Sequence, residues 1–286
     1  MGNAFSSIAI VGFGLIGGSL ALAIRERWPA VRIVAIDRDD VVDAAVRGRV
    51  ADAGGEFALA ADAELVVLAA PVRQNIALLG RIAEQASGNT LVTDVGSTKR
   101  AMVDAARALP SRVQFIGGHP LAGAAVGGLD AARADLFRGK PWILTPASEN
   151  SATNLERLTA FVSALGAQPR TMDPDAHDRL MAYLSHLPQL AVSALMEVVG
   201  ERAGADGLAL AGGGLRDTTR LASSPVTTWR DVTATNNEAV GEALDEMIAA
   251  LQRLKADLPS GQELERVFDS AQKWKRVLDA SQNGLP

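Results

Sequence analysis

At 286 residues, with 48% hydrophobic and 21% charged side chains, the chain is long enough for two domains with separate cores. It has no cysteine, which excludes disulfides, thiolate metal sites and cysteine nucleophiles, and its three histidines offer no metal cluster, so no metal is expected. A net charge of −5 argues against nucleic acid as a partner and leaves any anionic substrate to a few local arginines. The first residues lack a basic leader, and no apolar run approaches the ~20 residues of a membrane span, so a cytoplasmic protein is expected. Met1-Gly2 with Ser6 matches a myristoylation signal, but it runs straight into a strand and is read as chance.

Ser7–Val11 is a short apolar run and predicts a buried strand. It enters GFGLIGG, a G-x-G-x-x-G at Gly12, Gly14 and Gly17, with Leu15 and Ile16 between them and a helix expected over Ser19–Arg27. A second strand, Val31–Ile36, ends at Asp37. In a dinucleotide-binding turn the first glycine permits the bend and the second lets the backbone approach a pyrophosphate. The third lets helix and strand pack closely. The helix N-terminus then offers unpaired N–H groups to phosphate. Asp37 stands where a carboxylate accepts hydrogen bonds from the adenosine ribose and repels a 2′-phosphate, so NAD is expected. Arg38, next along, could soften that repulsion and leaves NADP open.

Glu64–Ala70 predicts a strand ending at Pro71-Val72, and Gln74–Gln85 a helix. The strand Thr90–Asp94 leads to Ser97, and a helix over Thr98–Leu109 follows. Val113–Ile116 leads to His119, expected in a glycine-flanked turn, and Trp142–Thr145 and Gln168–Met172 complete the sheet. Strands alternating with helices imply an α/β, doubly wound, mainly parallel sheet. The turns at Pro71, Ser97 and His119 should then open on one edge with the glycine turn. An imidazole there is suited to take a proton near neutral pH.

Asp173-Pro174-Asp175 reads as a helix start, with an acidic cap and proline in the first turn. The pattern beyond it carries an apolar stripe, Leu180, Leu184, Leu187, Ala191 and Leu195, and a second stripe, Ala182, His186, Gln189 and Ser193. Pro188 should kink the helix. The second stripe either faces solvent or lines a cleft. Arg216, Asp217 and Arg220, after three glycines, could clamp a carboxylate or form a solvated loop. Leu244–Leu258 and Glu263–Leu278 predict amphipathic helices with more apolar surface than one domain hides, which points to a homodimer.

Taken together, GFGLIGGSL, DVGSTKR, GGHPLAG, HD at 177–178, SHLP and RDTTR with Trp229 and Asn236 resemble the prephenate/arogenate dehydrogenase family of tyrosine biosynthesis. The resemblance implies an NAD(P)-binding domain over 1–173 and an all-α substrate and dimerisation domain over 174–286. It implies oxidative decarboxylation of a small cyclohexadienyl substrate, prephenate or alternatively arogenate. Carried over, His119 takes the C4 hydroxyl proton and Ser97 sits between His119, hydroxyl and cofactor. Arg220 binds a substrate carboxylate, with Asp217, Trp229 and Arg216 shaping that end, and His186 and Gln189 contribute from the helical domain. The chain departs from the family's pattern at Ala124 and Ala125, where a hydroxyl and often an acid stand, and at Gln189, where many members have a second histidine. A β-hydroxyacid-type dehydrogenase and a non-catalytic dinucleotide-binding module are the competing readings. The second should have lost His119 or Ser97.

Overall fold

The computed structural model describes residues 4–123, 127–147 and 150–283, so Met1, Gly2 and the Ala124-Ala125 departure lie outside the described residues. In chain order, β1 (Ser7–Val11), α1 (Leu15–Arg27), β2 (Arg32–Ile36), α2 (Asp39–Arg47), β3 (Ala53–Gly54) and β4 (Leu65–Leu68) come first. Next are α3 (Val72–Gln85), β5 (Thr90–Asp94), α4 (Arg100–Ala106), β6 (Val113–Pro120), β7 (Pro141–Pro146), α5 (Ala152–Ala164) and β8 (Gln168–Thr171). The strands form one eight-stranded sheet in the order β3-β2-β1-β4-β5-β6-β7-β8, parallel throughout except for the β6–β7 pair. The first six follow the order of a dinucleotide-binding sheet, whose topological switch lies between β1 and β4.

The central strands are continuous apolar runs because both faces are covered. In β1, Ile8 and Ile10 pack with Leu20, Ile24 and Phe161 on one face, while Ala9 and Val11 pack with Val66, Leu79 and Met102 on the other. α1 begins at Leu15, four residues before the expected start. Gly14 caps it without a side chain, and Gly17 already lies inside its first turn.

The strand that carries His119 also differs from expectation. β6 does not stop at Ile116: it runs through His119 to Pro120, with His119 opposite Ile143 in the antiparallel pairing with β7. His119 is therefore a strand residue, not a turn residue. A Cβ on Gly117 would lie 2.2 Å from the Thr145 hydroxyl, and one on Gly118 would lie 2.5 Å from the Asp94 carbonyl. The two glycines let β6 pass between its neighbours where any side chain would collide, so tertiary crowding overrides their turn propensity.

Beyond the sheet, α6 (Pro174–Met181) is capped by the Asp173 side chain, which accepts from the Ala176 N–H. A π-helical turn, Ala182–His186, joins it to α7 (Leu187–Leu208), with Pro188 in the first turn of α7. The kink expected at Pro188 is thus a π turn, which removes the need for the missing proline N–H. The stripes also sort themselves. Leu180, Leu184 and Leu195 are exposed, whereas Ala182, His186 and Gln189 are buried. The polar stripe faces inward.

α8 (Gly213–Thr218), a 3-10 turn (Arg220–Ser223) and α9 (Val226–Thr235) follow, then α10 (Asn237–Asp257) and α11 (Gln262–Asn283). The chain forms two compact units, 1–237 and 238–286, so α6–α9 belong to the same unit as the sheet. In the second unit, Glu263 accepts from Arg253 and Arg266 across the turn between the helices. Met247, Ile248, Leu251, Phe268 and Trp274 are exposed there. Among the described residues no helix is long and apolar enough to cross a membrane.

Candidate active site

At the switch point, the ends of β1, β2 and β4 border a cavity of about 660 Å³ lined by Gly12, Gly14, Asp37, Arg38, Ala70 and Pro71. Gly12 (φ +98°) sits so close to the β4 turn that a Cβ would lie 2.6 Å from Ala69. A Cβ on Gly17 would lie 1.9 Å from the Gly12 carbonyl oxygen, while Gly14 has open space beyond it. The first and third glycines close the turn and the middle one leaves room for a ligand, as a pyrophosphate site requires. Leu15 and Ile16 follow as the first helical residues. Asp37 accepts the Phe13 N–H at 2.6 Å and the Arg38 N–H at 2.7 Å, which orients its carboxylate at the end of β2. The Arg38 guanidinium turns to Asp40 and stays exposed. Asn75 donates to the Leu68 and Ala70 carbonyls and shapes the β4 turn, a role that nothing in the sequence pattern signals.

The parallel register of β1, β4, β5 and β6 brings the turn at Ala70-Pro71, Ser97 and His119 to the same edge. Ser97 is half-buried between β5 and α4. Beneath this edge, Lys99 and Asp94 form a fully buried ion pair. Asp94 accepts from the N–H groups of Gly96 (2.9 Å) and Gly118 (3.0 Å), and Lys99 donates to the Gly118 carbonyl at 2.8 Å. The pair grips the peptide just before His119.

His119 Nδ1 lies 2.9 Å from His177 Nε2, and His177 Nδ1 lies 2.7 Å from Asp178 Oδ1. Asp178 also accepts the N–H groups of Lys99 (2.7 Å) and Arg100 (3.0 Å), so α6 caps α4 across the sheet edge. Asn236 donates to the Asp178 carbonyl at 2.8 Å and to His186 Nδ1 at 3.3 Å. Nε2 of His186 must then carry the ring proton. That N–H is buried and has no partner among the described residues. Trp229 stands edge-on to His186, with ring centroids 6.1 Å apart. Thr235 meets Thr98 at 2.7 Å and Asp231 accepts the Arg73 N–H at 3.1 Å, which seats α9 on the same edge.

Gln189 donates both amide hydrogens, to Leu221 O (2.8 Å) and Ser193 (3.2 Å), and accepts from Ser224 at 3.0 Å. Its amide holds the 3-10 turn that begins at Arg220. Arg216, Asp217 and Arg220 are exposed on this segment.

Residues 20–170 match the family model for the prephenate dehydrogenase nucleotide-binding domain, and residues 173–270 match the model for its dimerization domain. The chain belongs to the prephenate dehydrogenase family. It is an oxidoreductase family, and the N-terminal domain is its NAD-binding domain. The chain is 34% identical to prephenate dehydrogenase of Bacillus subtilis, over 97% of this chain and 77% of that one. It is 29% identical to cyclohexadienyl dehydrogenase of Zymomonas mobilis, over 99% of both. The crystal structure of prephenate dehydrogenase from A. aeolicus in complex with hydroxyphenyl propionate and NAD+ superposes with TM-score 0.88 at 27% identity, over 96% of this chain and 98% of that one. Synechocystis arogenate dehydrogenase superposes with TM-score 0.82 at 29% identity, over 95% and 99%.

Within the site, His119, His186 and Trp229 are joined by a continuous chain of contacts through His177, Asp178 and Asn236. Arg220 is tied to this chain through Gln189 and α7. Burial, then the neighbouring His177 and Lys99, hold His119 well below the ordinary imidazole range. Burial brings His186 from 6.5 down to about 4, opposed by Asp178. Both rings are therefore neutral in the fold where unfolded histidine is already protonated. Stability should be complete above pH 6.5 and fall as the pH drops from there towards 4, by about 3 kcal/mol from His186 alone. Denaturant unfolding across that window checks this, with His186→Gln expected to flatten the slope. An equally steep slope in the variant would remove His186 as its source.

Proposed function

We propose that the enzyme oxidises and decarboxylates prephenate with NAD, giving 4-hydroxyphenylpyruvate, carbon dioxide and NADH, as a step of tyrosine biosynthesis. The observation that carries this reading is a neutral imidazole, His119, at the same sheet edge as the dinucleotide cavity, backed by buried polar groups. The Gly12–Gly17 turn, Asp37, Arg38, Ala70 and Pro71 would hold NAD, which would supply the two-electron acceptor. His119 Nε2 takes the C4 hydroxyl proton as the C4 hydrogen departs with its electron pair, and the C4–O bond becomes a carbonyl. The bond from C1 to its carboxylate then breaks. Its electron pair enters the ring and ends on the C4 oxygen, carbon dioxide leaves, and the imidazolium returns its proton to the phenolate. Aromatisation drives this step. Ser97, half-buried at the same edge, would stand between base, hydroxyl and cofactor, and the His186 N–H, without a partner among the described residues, would donate to an acceptor on the substrate. Arg220 binds a substrate carboxylate, with Arg216, Asp217 and Trp229 at the same end. Gln189 acts by holding the Arg220 turn.

The A. aeolicus enzyme's ligand, a hydroxyphenyl acid, has the form of the aromatised product and supports this substrate class. A second reading, arogenate or both substrates, is favoured by the likeness to the arogenate and cyclohexadienyl enzymes and by Gln189 at a position where many family members carry a second histidine. Steady-state assays with prephenate and arogenate, each with NAD and NADP, decide between them. NADH formed faster from prephenate supports the first reading and a preference for arogenate the second. Turnover of neither substrate overturns both. Residues 1–173 then serve the cofactor, and 174–286 the substrate and a homodimer formed through the exposed apolar faces of the last helices, in the cytoplasm.

Arg220→Ala should raise KM for the substrate well before it alters NAD affinity, because an exposed guanidinium on that turn contributes binding rather than chemistry. Kinetics with a separate NAD titration test this. An unchanged KM would move the carboxylate contact to another group, Arg216 first.

A further inference from the structure

His177 and Asp178 lie beneath the proposed base without being part of the chemistry described so far. Both are buried, and their contacts fix proton positions by elimination. The Asp178 carboxylate accepts two backbone N–H groups that can only donate, those of Lys99 and Arg100. As an acceptor it requires a proton on His177 Nδ1, 2.7 Å away. A neutral imidazole has one N–H, so His177 Nε2 offers a lone pair. His119 Nδ1, 2.9 Å away, must then donate to it. That leaves His119 Nε2 bare, which is the form a proton acceptor needs.

We infer that the Asp178–His177 pair is a positioning relay that locks His119 into the Nδ1–H tautomer, with Nε2 presented as the base. The inference rests on His119 being the base and adds what holds it ready. When Nε2 receives the substrate proton, both His119 nitrogens carry hydrogen, and the Nδ1–H bond to His177 strengthens without further proton transfer. The other groups acting on His119 are Lys99 and His186. Neither is hydrogen-bonded to it among the described residues, so the contact with His177 is the one that sets the tautomer there. The same carboxylate caps α4, so the register of α6 on α4 also sets the orientation of the ring.

With three histidines in the chain, 15N-histidine labelling gives a spectrum that single substitutions can assign. In the wild-type protein without ligands, His119 should show a protonated Nδ1 and an unprotonated Nε2. A protonated Nε2, or a mixture of tautomers, overturns the relay, and this measurement needs no variant beyond those for assignment. His177→Asn can still donate to Asp178 but no longer reaches His119. It should mix the tautomers and lower kcat and kcat/KM together, by between tenfold and the roughly 10⁴-fold that a wrong tautomer costs a catalytic triad, with KM little changed. His177→Gln, whose carbonyl can reach the vacated Nε2 position, should restore part of the loss. Undiminished kcat in His177→Asn, or no difference between the two variants, overturns the proposal. Full activity of His119→Asn would instead remove the functional reading, whichever tautomer the spectrum shows.

Discussion

His119→Asn should lower turnover by roughly 10²–10⁴-fold, the range for loss of a general base, while NAD binds as before. Asparagine keeps a polar group of similar size next to His177, so the strand and its ion pair below should survive. The cofactor turn is built from β1, β2 and β4, and His119 stands on β6, two strands beyond β4 in the sheet. Affinity and chemistry are thus separable. Fluorescence titration with NADH beside steady-state turnover tests both halves. Near-normal turnover would remove His119 from the mechanism, and a parallel loss of NADH binding would show that the substitution disturbed the edge as a whole.

The second large effect concerns the charges beneath that edge. Lys99→Met should destabilise the fold by about 3–5 kcal/mol, because it leaves the Asp94 carboxylate uncompensated in the interior. Lys99 and Asp94 are completely buried, and among the described residues the carboxylate would retain the N–H groups of Gly96 and Gly118. Burial already pushes the Lys99 ammonium below its ordinary range, with Asp94 opposing, so the pair is held by mutual attraction against desolvation. Denaturant midpoints at constant m-value measure the loss. The double variant Lys99→Met with Asp94→Asn should recover much of it, since the Asp94 position then carries no charge. A loss below about 1 kcal/mol in the single variant would mean that water or another cation reaches Asp94.

The sheet was legible because its strands are covered on both faces and read as unbroken apolar runs. β1 and β5 begin and end where the residues predict, and the Gly12–Gly17 turn stands between strand and helix as its spacing requires. Two features were not legible, for related reasons. Gly117 and Gly118 look like chain breakers, and only the crowding of Thr145 and Asp94 shows why they sit inside a strand. The helix after Asp173 showed both its stripes, yet the pattern alone could not say which one faces in. The polar stripe is buried because His186 and Gln189 find partners in Asn236, Ser224 and Leu221, all at least 30 residues further along the chain. His177 and Asp178 were visible as a family dipeptide but carried no signal of their role. Their meaning lies in reaching back to Lys99, Arg100 and His119, and a single sequence does not disclose such pairings.

The π-helical turn at Ala182–His186 has a geometric consequence for the site. Each residue of an α-helix advances the side-chain direction by about 100°, and a π turn holds one residue more than the α-helical path would. His177 and Asp178 lie before this extra residue, and His186 and Gln189 after it. The bulge therefore sets the angular phase between the group that orients the imidazole and the groups that meet the rest of the pocket. An ideal helix of the same length would aim only one of those sets at the sheet edge.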